Sequence, residues 1–217
     1  MNPVTAPTLG RPVGASGEET RRRIVNAAIR CVAEGGYSQA TIREIARAAD
    51  VTSASLYNYF PTKRELFKAT VSSVEDLTLP RLQEAATHGA TVVDRIDAVL
   101  DESDRLMREY PYLADFERAV RTEHAARAHR DDPDARGLHA LRAIIGDIVE
   151  DAQRSGALAD GTNAQAVVDV LYALARGLTD QAAGGASPDR RQTLDTAKRL
   201  IHGTLIRTPR ASRKDRR

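Results

Sequence analysis

The stretch Thr41-Ile42-Arg43-Glu44-Ile45-Ala46-Arg47-Ala48-Ala49-Asp50-Val51-Thr52-Ser53-Ala54-Ser55-Leu56-Tyr57-Asn58-Tyr59-Phe60 decides the fold. Ile42, Ile45, Ala46 and Ala49 recur at spacings of three and four, the apolar face of a short helix. Thr41 stands where its hydroxyl accepts from the backbone N–H near Glu44, and Glu44 can reach back, so the spacing predicts a capping box. Ala46 is small where a second helix must cross closely, Asp50 occupies the turn, and Val51 plugs the corner. Thr52 or Ser53 then caps a second helix whose Leu56 points back into the same core. This is a helix-turn-helix layout. Its second helix turns Ser53, Ala54, Ser55, Asn58 and Tyr59 outward, small and hydrogen-bonding groups that fit against base edges and phosphates in a major groove.

On either side the chain is helical too. Apolar residues recur with helical spacing at Ile24, Ala28, Cys31 and Val32, at Ile96, Val99 and Leu100, at Leu138, Leu141, Ile145, Ile148 and Val149, and at Val167, Val170, Leu171, Leu174 and Leu178. No stretch alternates with period two for long enough to build a sheet. Pro61, Pro111, Pro133 and Pro188 each precede or open a run of helix formers, where a missing N–H costs nothing, while Pro80 should kink or stop its helix. The expectation is an all-α protein of about nine helices, at 17–35, 42–49, 53–59, 62–86, 92–109, 111–128, 134–155, 163–182 and 189–206. Residues 1–16 read as a flexible arm, 17–62 as a helix-turn-helix domain, 63–207 as a second helical domain and 208–217 as a disordered basic tail. The 217 residues are 41% hydrophobic and 29% charged, which excludes overall disorder, and no apolar run approaches the ~18 residues of a membrane span. The single cysteine, Cys31, has no partner for an internal bridge, and the first twelve residues lack signal-peptide character, so a cytoplasmic location is expected.

Further residues narrow the reading. Thr41 to Ala46, Ala49 to Thr52 and Ser55 to Leu66, preceded by Arg21-Arg22-Arg23-Ile24-Val25-Asn26-Ala27-Ala28 and Gly35-Gly36-Tyr37, closely resemble the N-terminal signature of the TetR family of bacterial transcriptional regulators. The resemblance covers residues 20–67 and implies a two-part plan, an N-terminal DNA-binding domain followed by a ligand-binding and dimerisation domain. Carried over position by position, it implies that Arg43 reaches a base edge, an Arg fork matching guanine O6 and N7. Thr41, Ser55, Tyr57, Tyr59 and Lys63 fall where phosphates are held, and Thr52, Ser53, Ala54 and Asn58 complete the DNA-facing set. For Tyr57 the residue type allows a second account, a ring in the core with only its hydroxyl exposed. Two positions depart from the family pattern: Asp50 replaces the common turn glycine and Ala54 a frequent glycine or proline. Asp tolerates the left-handed conformation better than most residues, so the turn should survive.

The larger remainder carries no catalytic signature: no Gly-x-Ser-x-Gly elbow, no phosphate-binding loop, no His-Glu-x-x-His and no cysteine pair. His124 and His129, five apart, do not share a helical face, and Glu117 with His124 make a polar pair as readily as a metal site. No cofactor or metal is expected. Most large aromatic and thioether groups gather around residues 106–116. As the resemblance implies an apolar effector cavity among the middle helices, Met107, Tyr110, Tyr112 and Phe116, with Arg121, His124, Tyr172 and Arg176 as polar partners, are the candidate lining. Plain core packing is the competing account. The last two long helices carry broad apolar faces with small residues, suited to a four-helix interface of a homodimer whose two-fold axis would match a palindromic operator on double-stranded DNA. The leading expectation is a repressor released by a small apolar or amphipathic effector, with the helix at 62–86 as the lever and Pro80 as its pivot. Two others stand beside it: a small all-α enzyme or metal-binding domain with an incidental helix-turn-helix, and a ligand-insensitive DNA-binding protein. Charge sides with DNA binding. The net +2 is a cancellation, with +1 over residues 1–16, +3 over 17–68, −6 over 69–207 and +4 over 208–217.

Overall fold

The computed structural model describes residues 13–127, 140–183 and 189–204. Among them the chain is helical, with no strand: α1 (Val13–Gln39), α2 (Ile42–Ala48), α3 (Ser53–Tyr59), α4 (Lys63–Ala85), α5 (Val92–Glu109), α6 (Leu113–Arg127), α7 (Ala140–Arg154), α8 (Ala164–Ala182) and α9 (Arg190–Ile201). The expected features at Pro133, Leu138, Pro188, Leu205, His129, the tail 208–217 and most of the arm 1–16 lie outside the described residues.

Two compact units divide the described chain. One holds the residues up to Asp76 together with those of α6 from Phe116, and the other holds Leu77–Asp115 and the described residues from Ala140 onward. The division falls inside α4, whereas the expected boundary at 62/63 coincides with the start of that helix. In the first unit α1 packs on α2 and α2 on α3. Its core gathers Ile24, Ala28, Val32, Ile45, Ala46, Leu56, Phe60 and Leu66, all buried. In the second unit α5 packs on α7, α8 and α9 through Ile96, Val99, Leu100, Ile144, Ile148, Val149, Val168, Ala175, Leu194 and Ala197.

One helix differs from expectation for an identifiable reason. The first was expected to end at residue 35, and it continues to Gln39 around a kink at Gly36, whose φ of 79° and ψ of 166° are not helical. α4 runs through Pro80 to Ala85, close to its expected span of 62–86. Proline has no N–H to donate, so the Asp76 carbonyl, four residues before it, has no amide of the helix ladder to accept from.

Ion pairs order the second unit. Arg81 donates from Nε to Glu102 at 2.6 Å and from its terminal nitrogens to both Glu109 oxygens, at 2.5 and 3.2 Å, while Arg105 donates to the other Glu102 oxygen at 2.7 Å. Along α5, Asp97, Asp101 and Asp104 meet His202, Lys198 and Arg190, on and just after α9, in a ladder. The Arg81 guanidinium holds the Glu109 carboxyl below the usual carboxylate range. A carboxyl with a depressed folded-state value adds stability in full above its unfolded value of about 4.3, and loses it as pH falls through the folded value. The melting temperature should therefore fall more steeply below about pH 4 in the native protein than in Arg81→Met, followed by circular dichroism across pH. Equal slopes would mean that the pair does not contribute.

At the start of α5, Thr91 and Asp94 form a second capping box. Gly89, before it, has φ of 122°, and a Cβ there would stand 2.5 Å from that of Asp94. Only glycine fits this turn.

Candidate nucleic-acid interface

The first short helix is set by its cap. The Thr41 hydroxyl accepts from the Glu44 N–H at 3.2 Å, and the Glu44 carboxylate accepts from the Thr41 N–H at 3.0 Å and from its hydroxyl at 2.8 Å. These bonds, the backbone one foremost, hold the Glu44 carboxyl below its usual range. Ile45, Ala46 and Ala49 are buried, Ile42 partly so, and Arg43 stands exposed on the opposite side. At the turn Asp50 adopts φ of 54°, the left-handed geometry that the short Asp side chain tolerates. The Val51 N–H then donates to the Ala46 carbonyl at 3.0 Å, closing the corner.

Thr52, rather than Ser53, caps α3: its hydroxyl accepts from the Ser55 N–H at 3.0 Å. Leu56 is the buried anchor of this two-turn helix, with no exposed surface. Every other residue of α3 is at least partly open to solvent: Ala54, Tyr57 and Asn58 are exposed, and Ser53, Ser55 and Tyr59 half-buried. Tyr57 keeps 49% of its surface exposed, which removes the account of its ring as core.

Lys63, at the start of α4, is engaged within the protein. Its ammonium donates to the Tyr37 carbonyl at 2.6 Å and lies 4.4 Å from the centre of the Tyr37 ring, whose edge in turn meets Phe67. The cation thus ties α4 to the segment between Gly36 and α2. Sequence spacing had no means of finding Tyr37, since the partner atom is a backbone carbonyl 26 residues away. Arg21 of α1 places its guanidinium carbon 5.0 Å from the centre of the Phe60 ring.

This geometry meets its counterpart among known proteins. Residues 24–70 match the sequence profile described as bacterial regulatory proteins, tetR family. The chain is 32% identical over 162 residues to the HTH-type transcriptional regulator BetI of Rhizobium meliloti, covering 70% of this chain and 75% of BetI. The chain belongs to the TetR family. This TetR-family chain is also 30% identical over 97 residues to the HTH-type transcriptional repressor KstR of Mycolicibacterium smegmatis, covering 45% of this chain and 48% of KstR. In the latter comparison the match spans about half of the relative's own length. The fold is shared with FadR of Bacillus subtilis, solved in complex with stearoyl-CoA, at 16% identity and a TM-score of 0.66 over 85% of this chain and 99% of FadR. BetI and KstR are both regulators of transcription by name.

The candidate effector-lining residues are distributed over both units. Phe116, fully buried, belongs to the first unit, as do Arg121, which pairs with Glu117 at 3.9 Å, and half-buried His124. In the second unit, Met107 is buried and borders a cavity of about 20 Å³ with Leu100, Ser103, Leu178 and Leu194. That is the size of a single water site and far below the ~300 Å³ at which ligand pockets begin. Tyr110 caps the end of α5 and Tyr112 lies in the following turn, 39% and 44% exposed, while Tyr172 is half-buried and Arg176 exposed on α8. Among the described residues no group of three or more His, Cys, Asp and Glu is placed to hold a metal, and no helix is long and apolar enough to cross a membrane.

Proposed function

We propose that this chain is a homodimeric, ligand-responsive repressor that binds a palindromic operator on double-stranded DNA in the cytoplasm. The observation that carries the reading is the short helix α3, anchored by Leu56 alone and presenting Ser53, Ala54, Tyr57 and Asn58 to solvent, with Arg43 exposed on the neighbouring helix. Among the described residues Ala54, Tyr57 and Asn58 are left uncovered, and the dimensions of such a helix suit a major groove. Thr41, Thr52, Ser55, Tyr59 and Lys63 surround it as the phosphate-holding set, with Lys63 also fixing the start of α4. The direct test is enrichment of genomic fragments by the purified protein, followed by band-shift titration. Specific binding with two protomers per duplex is expected. Failure to enrich any sequence over bulk DNA overturns the reading.

The domain plan proposed is a DNA-binding part over 17–62 and an effector-binding and dimerisation part over 63–207, with 1–16 and 208–217 as flexible extensions. The dimer is proposed to form through α8 and α9. Supporting this, Ala173, Leu174, Gly177 and Leu178 of α8 and Ala197 and Leu200 of α9 line an open apolar trough, and Val170 is 68% exposed. A valine so exposed on a protomer has little bearing on that protomer's stability, within about 0.5 kcal/mol for a surface substitution. Val170→Glu should therefore leave the helical signal intact and convert dimers to monomers in sedimentation velocity. A Val170→Glu protein that remains dimeric would place the interface elsewhere.

The effector is proposed to be small and apolar or amphipathic, as the acyl chain bound by the structurally similar FadR is. Met107 and its neighbours mark where it would enter, by opening the cavity that α5, α8 and α9 now hold nearly closed. The continuous helix α4, with Lys63–Asp76 in one unit and Leu77–Ala85 in the other, is the proposed lever. Its weak point is the carbonyl of Asp76 opposite Pro80, the residue at which the units divide. An effector acts only through its preference for the conformation that binds DNA poorly.

A further inference from the structure

We propose that Arg21 of α1 is an additional phosphate contact of the DNA-binding unit, oriented by stacking on Phe60. The proposal rests on the reading of this chain as a DNA-binding protein. Three consecutive arginines, Arg21, Arg22 and Arg23, are all exposed on α1, but successive helical residues point about 100° apart and cannot share one role. Glu18 and Glu19 stand one turn before Arg22 and Arg23, the order that favours pairing along a helix, whereas the residue one turn before Arg21 is Gly17. Among the described residues Arg21 makes no ion pair.

What Arg21 does meet is the Phe60 ring, its guanidinium carbon 5.0 Å from the ring centre. Phe60 is the residue that ends α3, so the cation is carried to the end of the helix whose open face reads DNA. A guanidinium held over a ring by a cation–π contact spends none of its N–H groups on a protein acceptor, which leaves them to bind elsewhere. Gly17 acts at the same place. A Cβ on Gly17 would stand 4.0 Å from the Tyr59 hydroxyl, an ordinary contact, so Gly17 lies beside that hydroxyl. Gly17 and Arg21 are one helical turn, about 5–6 Å, apart on α1. A phenol and a stacked cation are thereby brought to one end of α3, the pair of donors suited to neighbouring phosphodiester oxygens. The ligand class is the DNA backbone, read without regard to base.

The test uses the full-length chain and two probes: a duplex enriched from a random-sequence library by the unmodified protein, and a scrambled duplex of the same composition. Arg21→Ala should weaken binding to both by about tenfold per protomer at about 0.1 M salt, and reduce the slope of log affinity against log salt by about one per protomer. Arg21→Met keeps an unbranched stem over Phe60 without charge and should restore the melting temperature but not the slope. An unchanged slope in Arg21→Ala, or a slope restored by Arg21→Met, overturns the proposal and leaves Arg21 as packing. If the unmodified protein enriches no duplex, the DNA-binding reading falls and this proposal with it. If it does enrich one and only Arg21→Ala behaves as the unmodified protein, this proposal falls alone.

Discussion

Arg43→Ala should abolish discrimination between the cognate duplex and a scrambled one while leaving the fold untouched. Arg43 is the second residue of α2, exposed on the side opposite buried Ile45 and Ala46, so truncating it removes no core contact. An exposed substitution of this kind changes stability by no more than about 0.5 kcal/mol. Binding responds differently. A bidentate Arg–guanine pair contributes about 1–3 kcal/mol of discrimination, and a dimer makes it twice, so the cognate affinity should fall by about 2–6 kcal/mol, thirtyfold at the least. Scrambled DNA, held through phosphates, should lose far less. Arg43→Lys separates the two roles, because it retains the charge and loses the planar fork. Lysine should restore scrambled-duplex binding and fail to restore discrimination. An equal loss of Arg43→Ala on both duplexes would make Arg43 a phosphate contact, and no loss on either would remove it from the interface.

How much of this was readable beforehand depends on how local the cause is. The capping box at Thr41 and Glu44, the left-handed turn at Asp50, and the span 53–59 of α3 all came directly from sequence, because each is set within four residues along the chain. The same holds for α5, whose start is fixed by the Thr91–Asp94 box and whose expected span 92–109 is the one observed. The end of α1 was read too early. The helix was expected to end at residue 35, yet the chain kinks at the non-helical Gly36 and continues to Gln39. The expected span 62–86 ran through Pro80, and α4 does so, since the loss of one backbone bond does not outweigh the burial of Leu82 and Ala85 further along it. Contacts between distant segments carried no signal at all. The ammonium of Lys63 on the Tyr37 carbonyl, and the ladder of α5 aspartates with Arg190, Lys198 and His202 on and just after α9, join residues 26 to 105 positions apart. Tyr57 was ambiguous because a tyrosine suits core and surface alike, and only the placement of Leu56 as sole anchor turned it outward.

Leu56→Ala should uncouple the reading helix from its unit, and it separates the fold of the site from its chemistry. A helix of two turns has too few backbone bonds to persist alone in water, so α3 exists only because something pins it. Its cap at Thr52 orders the first turn, and its only buried side chain is Leu56, with 0% of its surface exposed. Truncating a leucine so placed costs about 2–5 kcal/mol, transfer free energy plus the cavity left behind, and the loss falls on the element with the least other support. The melting temperature of Leu56→Ala should drop by several degrees, and amide exchange over 53–60 should accelerate ahead of the rest of the chain. DNA binding should weaken on every duplex, since phosphate and base contacts depend on the same helix. Asn58→Ala provides the contrast on that helix: exposed, it should leave the melting temperature and the exchange rates unchanged and reduce only the discrimination between duplexes. If Leu56→Ala melts and exchanges like the unmodified protein, α3 is held by something other than Leu56, and its open face owes its orientation to contacts other than those described.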